Sequence, residues 1–187
     1  MVDFLIATGS DQTRKQIGAS FVGVKQLLRG HRTSAALLRA QMSEAEWQAL
    51  VQDIYLYNGM GCRSITQVFV QKEEQITILS QKLADYPSEY LTETYLQKVK
   101  QEKLQRDMLK IPYLLAGKVL LDTAPARLFA PMGILNVWQM EEKESLHFEA
   151  LNKSAFQCFV KGEYTSTQMP LGDSFADNID TLAWLIS

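Results

Sequence analysis

The residues best suited to covalent chemistry lie in 53–70, which reads DIYLYNGMGCRSITQVFV. A helix-like segment gives way to Asn58-Gly59-Met60-Gly61, and Cys62 follows at once. Arg63, Ser64 and Thr66 then lead into the apolar, β-branched run Val68-Phe69-Val70. Glycines on the N-terminal side let the backbone turn tightly and let a substrate approach with no Cβ in the way. A helix beginning at Cys62 would aim its free N–H groups and positive dipole end at the thiol. That would lower the thiol's pKa and hold a developing oxyanion. The alternative is a buried, inert thiol, since free cysteine is among the most buried residue types.

Other stretches carry weaker chemistry. Phe4-Leu5-Ile6-Ala7 reads as a buried strand, Thr8-Gly9-Ser10 breaks it, and residues 11–21 look helical. Strand, small-residue turn and helix is the arrangement that binds phosphate at a helix N-terminus. The same turn is equally an ordinary strand-to-helix connection capped by Ser10 or Asp11. His31 sits in the polar loop 29–34 and is either a base or a satisfied loop residue. Cys158, between aromatics in Phe156-Gln157-Cys158-Phe159-Val160, reads as a core residue of a strand. The tail holds Asp173, Asp177 and Asp180 in a turn-rich segment. No ligand spacing supports a metal there, and capping is the simpler role.

The elements that must position these groups follow from periodicity. Ser43-Glu44-Ala45-Glu46 is a capping box, with Ser43 as N-cap and Glu46 at the third position. Behind it Trp47, Leu50, Val51 and Ile54 keep helical spacing and deliver Cys62 at the far end. A short second strand is read within 22–28, and residues 35–38 form a buried strand or helical piece. A strand near 67–70 is followed by an amphipathic helix over 73–84, with Ile76, Leu79 and Leu83 on one face. Residues 88–109 read as a long charged helix with Leu91, Tyr95, Val99 and Leu104 turned inward. Residues 113–121 are strand-like, and Pro125 and Pro131 bracket an extended stretch at Leu128-Phe129. Residues 134–138 form a strand, and a helix covers 141–151 before the strand at 156–160.

Composition narrows the class. A chain of 187 residues, 47% hydrophobic and 21% charged, suits one globular domain or slightly more. A net charge of −2 gives no basic surface for nucleic acid. No apolar run approaches the roughly 18 residues of a membrane span. Two cysteines give no disulfide scaffold, and the opening residues carry no basic leader, so a cytoplasmic protein with reduced thiols is expected.

Taken in order, these segments resemble the aldehyde dehydrogenase superfamily. Phe4 to Ser10 resembles the strand and Thr-Gly-Ser turn that ends its nucleotide-binding region. Gly30-His31-Arg32-Thr33-Ser34 lies where the superfamily has a Gly-Gly-Lys-Ser segment. Asn58 to Cys62 resembles its Gly-Gln-x-Cys nucleophile segment. The closer resemblance is to the acyl-CoA reductase branch, relatives of the fatty acid reductase of bacterial luminescence. One subgroup of that branch carries a tract much like Asp53 to Ser64, and an ending like Asp173 to Leu185.

The resemblance implies an α/β fold: an aldehyde-dehydrogenase-like three-layer catalytic domain with the last strand–helix unit of a nucleotide-binding domain. Residues 1–24 would be that remnant and 25–187 the catalytic domain with its tail. It implies Cys62 as the catalytic thiol, Thr8, Gly9 and Ser10 near the cofactor, and NADPH as that cofactor. A long-chain acyl group would pass from coenzyme A or another acyl carrier to Cys62 and leave as an aldehyde. Aldehyde-oxidising members place a glutamate just before the Gly-Gly segment, to activate water. Leu28 aligns there, and no acidic residue lies between Lys25 and Ser34, which favours thioester reduction over hydrolysis. The family's enzymes are much longer, so this chain is expected to be a truncated catalytic portion that associates with a second copy or a partner chain. Two alternatives stay open. One is a thiol acyltransferase or thioesterase with His31 as base. The other is a non-catalytic remnant that binds a partner.

Overall fold

A computed structural model describes residues 2–168, 175 and 179–187. Backbone contacts divide these into two compact units: 2–32 with 175 and 179–187, and 33–168. The sequence reading drew its boundary after residue 24. The strand that follows, Lys25–Arg29, lies in the first unit.

In the first unit β1 (Phe4–Thr8) and β2 (Lys25–Arg29) pair in parallel around α1 (Asp11–Ser20). The expectation of a buried β1 is corrected. Phe4 and Ile6 are each 44% exposed, and α1 buries none of its residues. Two strands with one helix cannot cover both faces of a sheet. The short helix α6 (Thr181–Ile186) is capped by Asp180, whose carboxylate accepts from the N–H groups of Leu182 and Ala183 at 3.0 Å. This is the capping role read for the tail aspartates; Asp173 and Asp177 lie outside the described residues. Lys25 Nζ donates to the Trp184 carbonyl at 2.7 Å and sits 4.9 Å from that indole ring.

The second unit is built on a six-stranded sheet. Its strands are β3 (Thr33–Leu37), β4 (Ile65–Val70), β5 (Leu114–Ala116), β6 (Val119–Asp122), β7 (Ile134–Gln139) and β8 (Phe156–Val160). Their order is β5-β6-β7-β4-β3-β8, parallel throughout except for β5. The central strands read as continuous apolar runs because both faces are covered. Against one face pack α2 (Glu44–Tyr55), α3 (Glu73–Ala84) and α4 (Glu93–Leu109). Against the other, α5 (Glu142–Leu151) helps enclose Phe69 among the rings of Trp138, Phe148 and Phe159, at 6.2, 5.5 and 5.3 Å. Helices above and below one sheet make the three layers expected.

Ser43 and Glu46 form the capping box that opens α2, and Trp47, Leu50, Val51 and Ile54 are buried. Glu46 does more than cap. Its carboxylate accepts from the N–H groups of Ser43 and Tyr164, at 2.8 and 2.9 Å, and from Arg39. Those backbone donors, Ser43 first, hold its pKa down at about 2.

Several sequence expectations are corrected. The long helix begins at Glu93, not 88, because Thr92 caps it by accepting from Tyr95 N–H at 3.2 Å, after a 3₁₀ turn at Ser88–Tyr90. Leu104 faces out at 62% exposure. Nine residues separate it from Tyr95, about half a turn off the buried line through Tyr95 and Val99. Arg106 takes the inward place and pairs with Asp122 at 2.6 Å. Residues 113–121 hold not one strand but two, β5 and β6, joined at Gly117. A Cβ there would stand 2.7 Å from Ala84 Cα, and φ is +60°, so glycine is required. The stretch between Pro125 and Pro131, read as extended at Leu128-Phe129, bends there. It is held by Gln67 and Asn136, both buried, which donate to the Leu128 and Arg127 carbonyls.

Two outcomes test this core. Truncating Phe69 to alanine is expected to cost about 3–5 kcal/mol in urea unfolding, since three rings lose their common partner. Glu46 titrates lower folded than unfolded, so its stabilisation is complete above about pH 4.5 and is lost as pH falls toward about 2. Glu46→Gln is therefore expected to lower the melting temperature at pH 7 and to flatten its decline across that acid window.

Candidate functional site

The chain leaves α2 in an unusual way. Leu56 is extended, and then Tyr57, Asn58 and Gly59 all take left-handed backbone angles, with φ of +55°, +56° and +67°. Glycine takes this region freely and asparagine tolerates it, but a tyrosine there costs about 1–2 kcal/mol. The run reverses the chain within a few residues. Gly61 carbonyl then accepts from Ser64 N–H at 2.9 Å, closing a turn with Cys62 on its outer side. A Cβ on Gly61 would lie 3.0 Å from Ser64 Oγ and 3.3 Å from the Tyr57 ring, so a side chain there would crowd the turn. Buried Ser64 donates to the Leu56 carbonyl at 2.9 Å and ties the two ends together.

Cys62 is exposed, so the reading of it as a buried thiol is not met. No helix starts at Cys62 either; residues 61–64 are a turn that runs straight into β4. The thiol gains no helix dipole. What the turn offers is access and a fixed backbone.

Ser34 supplies the fixing. Its hydroxyl donates to the Cys62 carbonyl at 2.7 Å and accepts from Cys158 N–H at 3.1 Å. It can do both because β3 is irregular toward both neighbours at this level. Opposite Ser34 and its flanking residues, β4 carries the extra residue Thr66 and β8 carries the extra residue Gln157. Bulges of this kind re-aim groups beside functional sites. Cys158, read as a core residue, is only half-buried, on the edge strand β8.

A second tie comes from α2 itself. Asp53 is 1% exposed, and its carboxylate accepts from Tyr164 Oη, Ser166 Oγ and Thr167 N–H, each at 2.8 Å. Burial, with Asp53 alongside, pushes the Tyr164 hydroxyl far up, so it stays protonated and keeps donating. Thr167 Oγ1 in turn donates to the Arg63 carbonyl at 2.6 Å, and Gln168 Nε2 donates to the same oxygen at 3.1 Å. Arg63 Nη1 donates back to the Thr167 carbonyl at 3.2 Å and to Cys158 Sγ at 3.3 Å. The residue after the thiol is thus locked from both its backbone and its side chain.

Among the described residues, Cys62 Sγ and the N–H groups of Cys62 and Arg63 take part in no hydrogen bond. A thiol and two donors share one exposed turn. Among the described residues no three His, Cys, Asp or Glu are grouped to hold a metal.

In the first unit, Thr8 ends β1, and Gly9 N–H donates to the Arg29 carbonyl at 3.1 Å. Ser10 caps α1, its Oγ accepting from Thr13 N–H at 3.1 Å. Thr8 and Ser10 are exposed, as is His31 in the loop after β2. Sequence reasoning did not single out Asp53, Ser34 or Thr167 for these roles. An acid on the buried face of α2, beside Leu50 and Ile54, was the available signal for Asp53.

No family model and no curated protein matches the chain. Solved structures do. One is an indole-3-acetaldehyde dehydrogenase in complex with NAD+: 10% identity, TM-score 0.64, covering 95% of this chain and 48% of that one. An aldehyde dehydrogenase from Bacillus cereus, also with NAD+, aligns at 14% identity and TM-score 0.61, covering 94% and 47%. An NADP-dependent glyceraldehyde-3-phosphate dehydrogenase from Bacillus halodurans, with NADP, aligns at 19% identity and TM-score 0.53, covering 76% and 36%. The chain spans less than half the length of each. The expected α/β architecture is met: this chain has an aldehyde-dehydrogenase-like fold.

The two ties make separable predictions. Asp53→Asn is expected to cost about 1.5–3 kcal/mol in chemical unfolding, because it weakens hydrogen bonds to a buried charge. In native protein, iodoacetamide is expected to alkylate exposed Cys62 before Cys158, with the order read by peptide mass mapping.

Proposed function

We propose that the chain is the catalytic portion of an NADPH-dependent reductase that converts a long-chain acyl-CoA, or another acyl thioester, to the aldehyde through an acyl-Cys62 intermediate. The observation that carries this reading is the exposed Cys62 thiol, set by Ser34 and Asp53 beside unengaged backbone donors on an aldehyde-dehydrogenase-like fold. The Cys62 thiolate attacks the thioester carbonyl carbon. Its oxygen becomes an oxyanion within reach of the Cys62 and Arg63 N–H groups, and the bond to the carrier sulfur breaks, releasing the carrier as its thiol. The absence of an acidic residue between Lys25 and Ser34 supports survival of the acyl-enzyme, since no carboxylate there activates water.

The turn at Thr8, Gly9 and Ser10 is compatible with the diphosphate of a dinucleotide. The N–H groups of Asp11 and Gln12 open α1, and Arg14, 3.7 Å from Asp11, offsets that residue's charge. NADPH, when bound, supplies the hydride that reduces the thioester. The chain's part is to hold the acyl carbon at Cys62 and to let the Cys62 sulfur leave as the aldehyde departs. NADPH rather than NADH, acyl-CoA as substrate, and association with a second copy or a partner chain are all part of this proposal.

Mixing purified protein with tetradecanoyl-CoA tests it. One equivalent of coenzyme A per chain should be released without NADPH, and tetradecanal should form when NADPH is added. Cys62→Ser should do neither, a loss of at least a hundredfold. Coenzyme A release by Cys62→Ser at the normal rate, or continuous release of free acid, would overturn the reading.

A further inference from the structure

We infer that the groove along α2 is the binding site for the acyl chain itself, with Tyr57 joining it to Cys62; the inference rests on the proposed role of Cys62. The second unit holds a cavity of about 740 Å³, within the roughly 300–1,000 Å³ of small-molecule sites. It runs along one face of α2 from Glu44 to Tyr55, about 17 Å at the helical rise. A groove of that length accommodates an extended, unbranched occupant.

Its aromatic side suits a hydrocarbon, while Gln48, Gln52 and Asp85 make up a polar rim. Trp47, Val51 and Tyr55 form the floor on α2, and Tyr86 and Tyr90 form the facing side. The wall's rings pack on one another. Tyr55 stacks on Tyr86 with ring centroids 4.5 Å apart, and its hydroxyl donates to the Leu83 carbonyl at 3.1 Å. Tyr86 meets Tyr90 edge-on at 6.1 Å. A preformed aromatic wall spares the ligand the cost of ordering it.

The two ends differ. At the far end, Lys82 and Glu44 form an ion pair, a polar stop that sets how long a chain the groove accepts. At the near end stands Tyr57, 67% exposed and in the left-handed region. Its ring packs so closely on Gly61 that a Cβ there would lie 3.3 Å away. Gly61 is the residue before the thiol. The strain at Tyr57 therefore holds one ring against both the groove and the cysteine turn, a place where stored backbone strain serves a ligand clamp.

Filling the groove from its exposed rim tests this without touching the thiol. Gln52 is exposed on α2 and borders the cavity, so Gln52→Trp should fold normally, checked by circular dichroism. Calorimetry with tetradecanoate should show binding to the unaltered protein, at least tenfold weaker binding to Gln52→Trp, and no change for Cys62→Ser. Loading of Cys62 from tetradecanoyl-CoA should slow at least tenfold in Gln52→Trp, while loading from acetyl-CoA stays within twofold. No tetradecanoate binding, or binding and loading indifferent to Gln52→Trp, overturns the groove even where Cys62 is loaded. If Cys62 is never loaded but tetradecanoate binds and Gln52→Trp weakens it, the groove stands and the reading of Cys62 falls.

Discussion

A single buried carboxylate organises the site. Asp53 lies in the last turn of α2, where its charge is shielded from water and must be met by protein donors. Those donors come from residues 164–167, more than a hundred positions later in the chain. Meeting that demand pins the 164–168 segment beside the cysteine turn, where Thr167 and Gln168 reach the Arg63 carbonyl. Remove the carboxylate and three donors lose their acceptor, and the residue after Cys62 loses its restraint.

The rest of the site answers a related problem. A thiol in the role proposed for Cys62 must be open to solvent, yet its backbone must not move. Here the Cys62 residue is exposed, while its carbonyl is held by Ser34 and its neighbours by Ser64 and Thr167. The paired irregularities in β4 and β8 give Ser34 room to serve two strands at once. The left-handed run at Tyr57, Asn58 and Gly59 is the matching cost, tolerated because packing around it determines the path of the chain.

Much of the frame was legible in the residues. The capping box at Ser43 and Glu46, the 73–84 helix with Ile76, Leu79 and Leu83, and the strand at 156–160 follow from patterns a few residues long. Segment order carried the fold, at a level of identity where single motifs would be weak. What was hidden depends on distant partners. Arg106 lies on the buried line of its helix because Asp122 pairs with its charge, and Asp53 is satisfied from the far end of the chain. The display of Cys62 on a turn rather than a helix depends on three consecutive left-handed residues, of which only Asn58 and Gly59 announce themselves by type.

The central claim is that Cys62, not Cys158, accepts the acyl group. Intact-mass measurement after brief exposure to tetradecanoyl-CoA, run on the unaltered protein, Cys62→Ser and Cys158→Ser, addresses it most directly. The account predicts one added tetradecanoyl group, removed by hydroxylamine, on the unaltered protein and on Cys158→Ser, and none on Cys62→Ser. An adduct that persists in Cys62→Ser, or one lost only in Cys158→Ser, would contradict it.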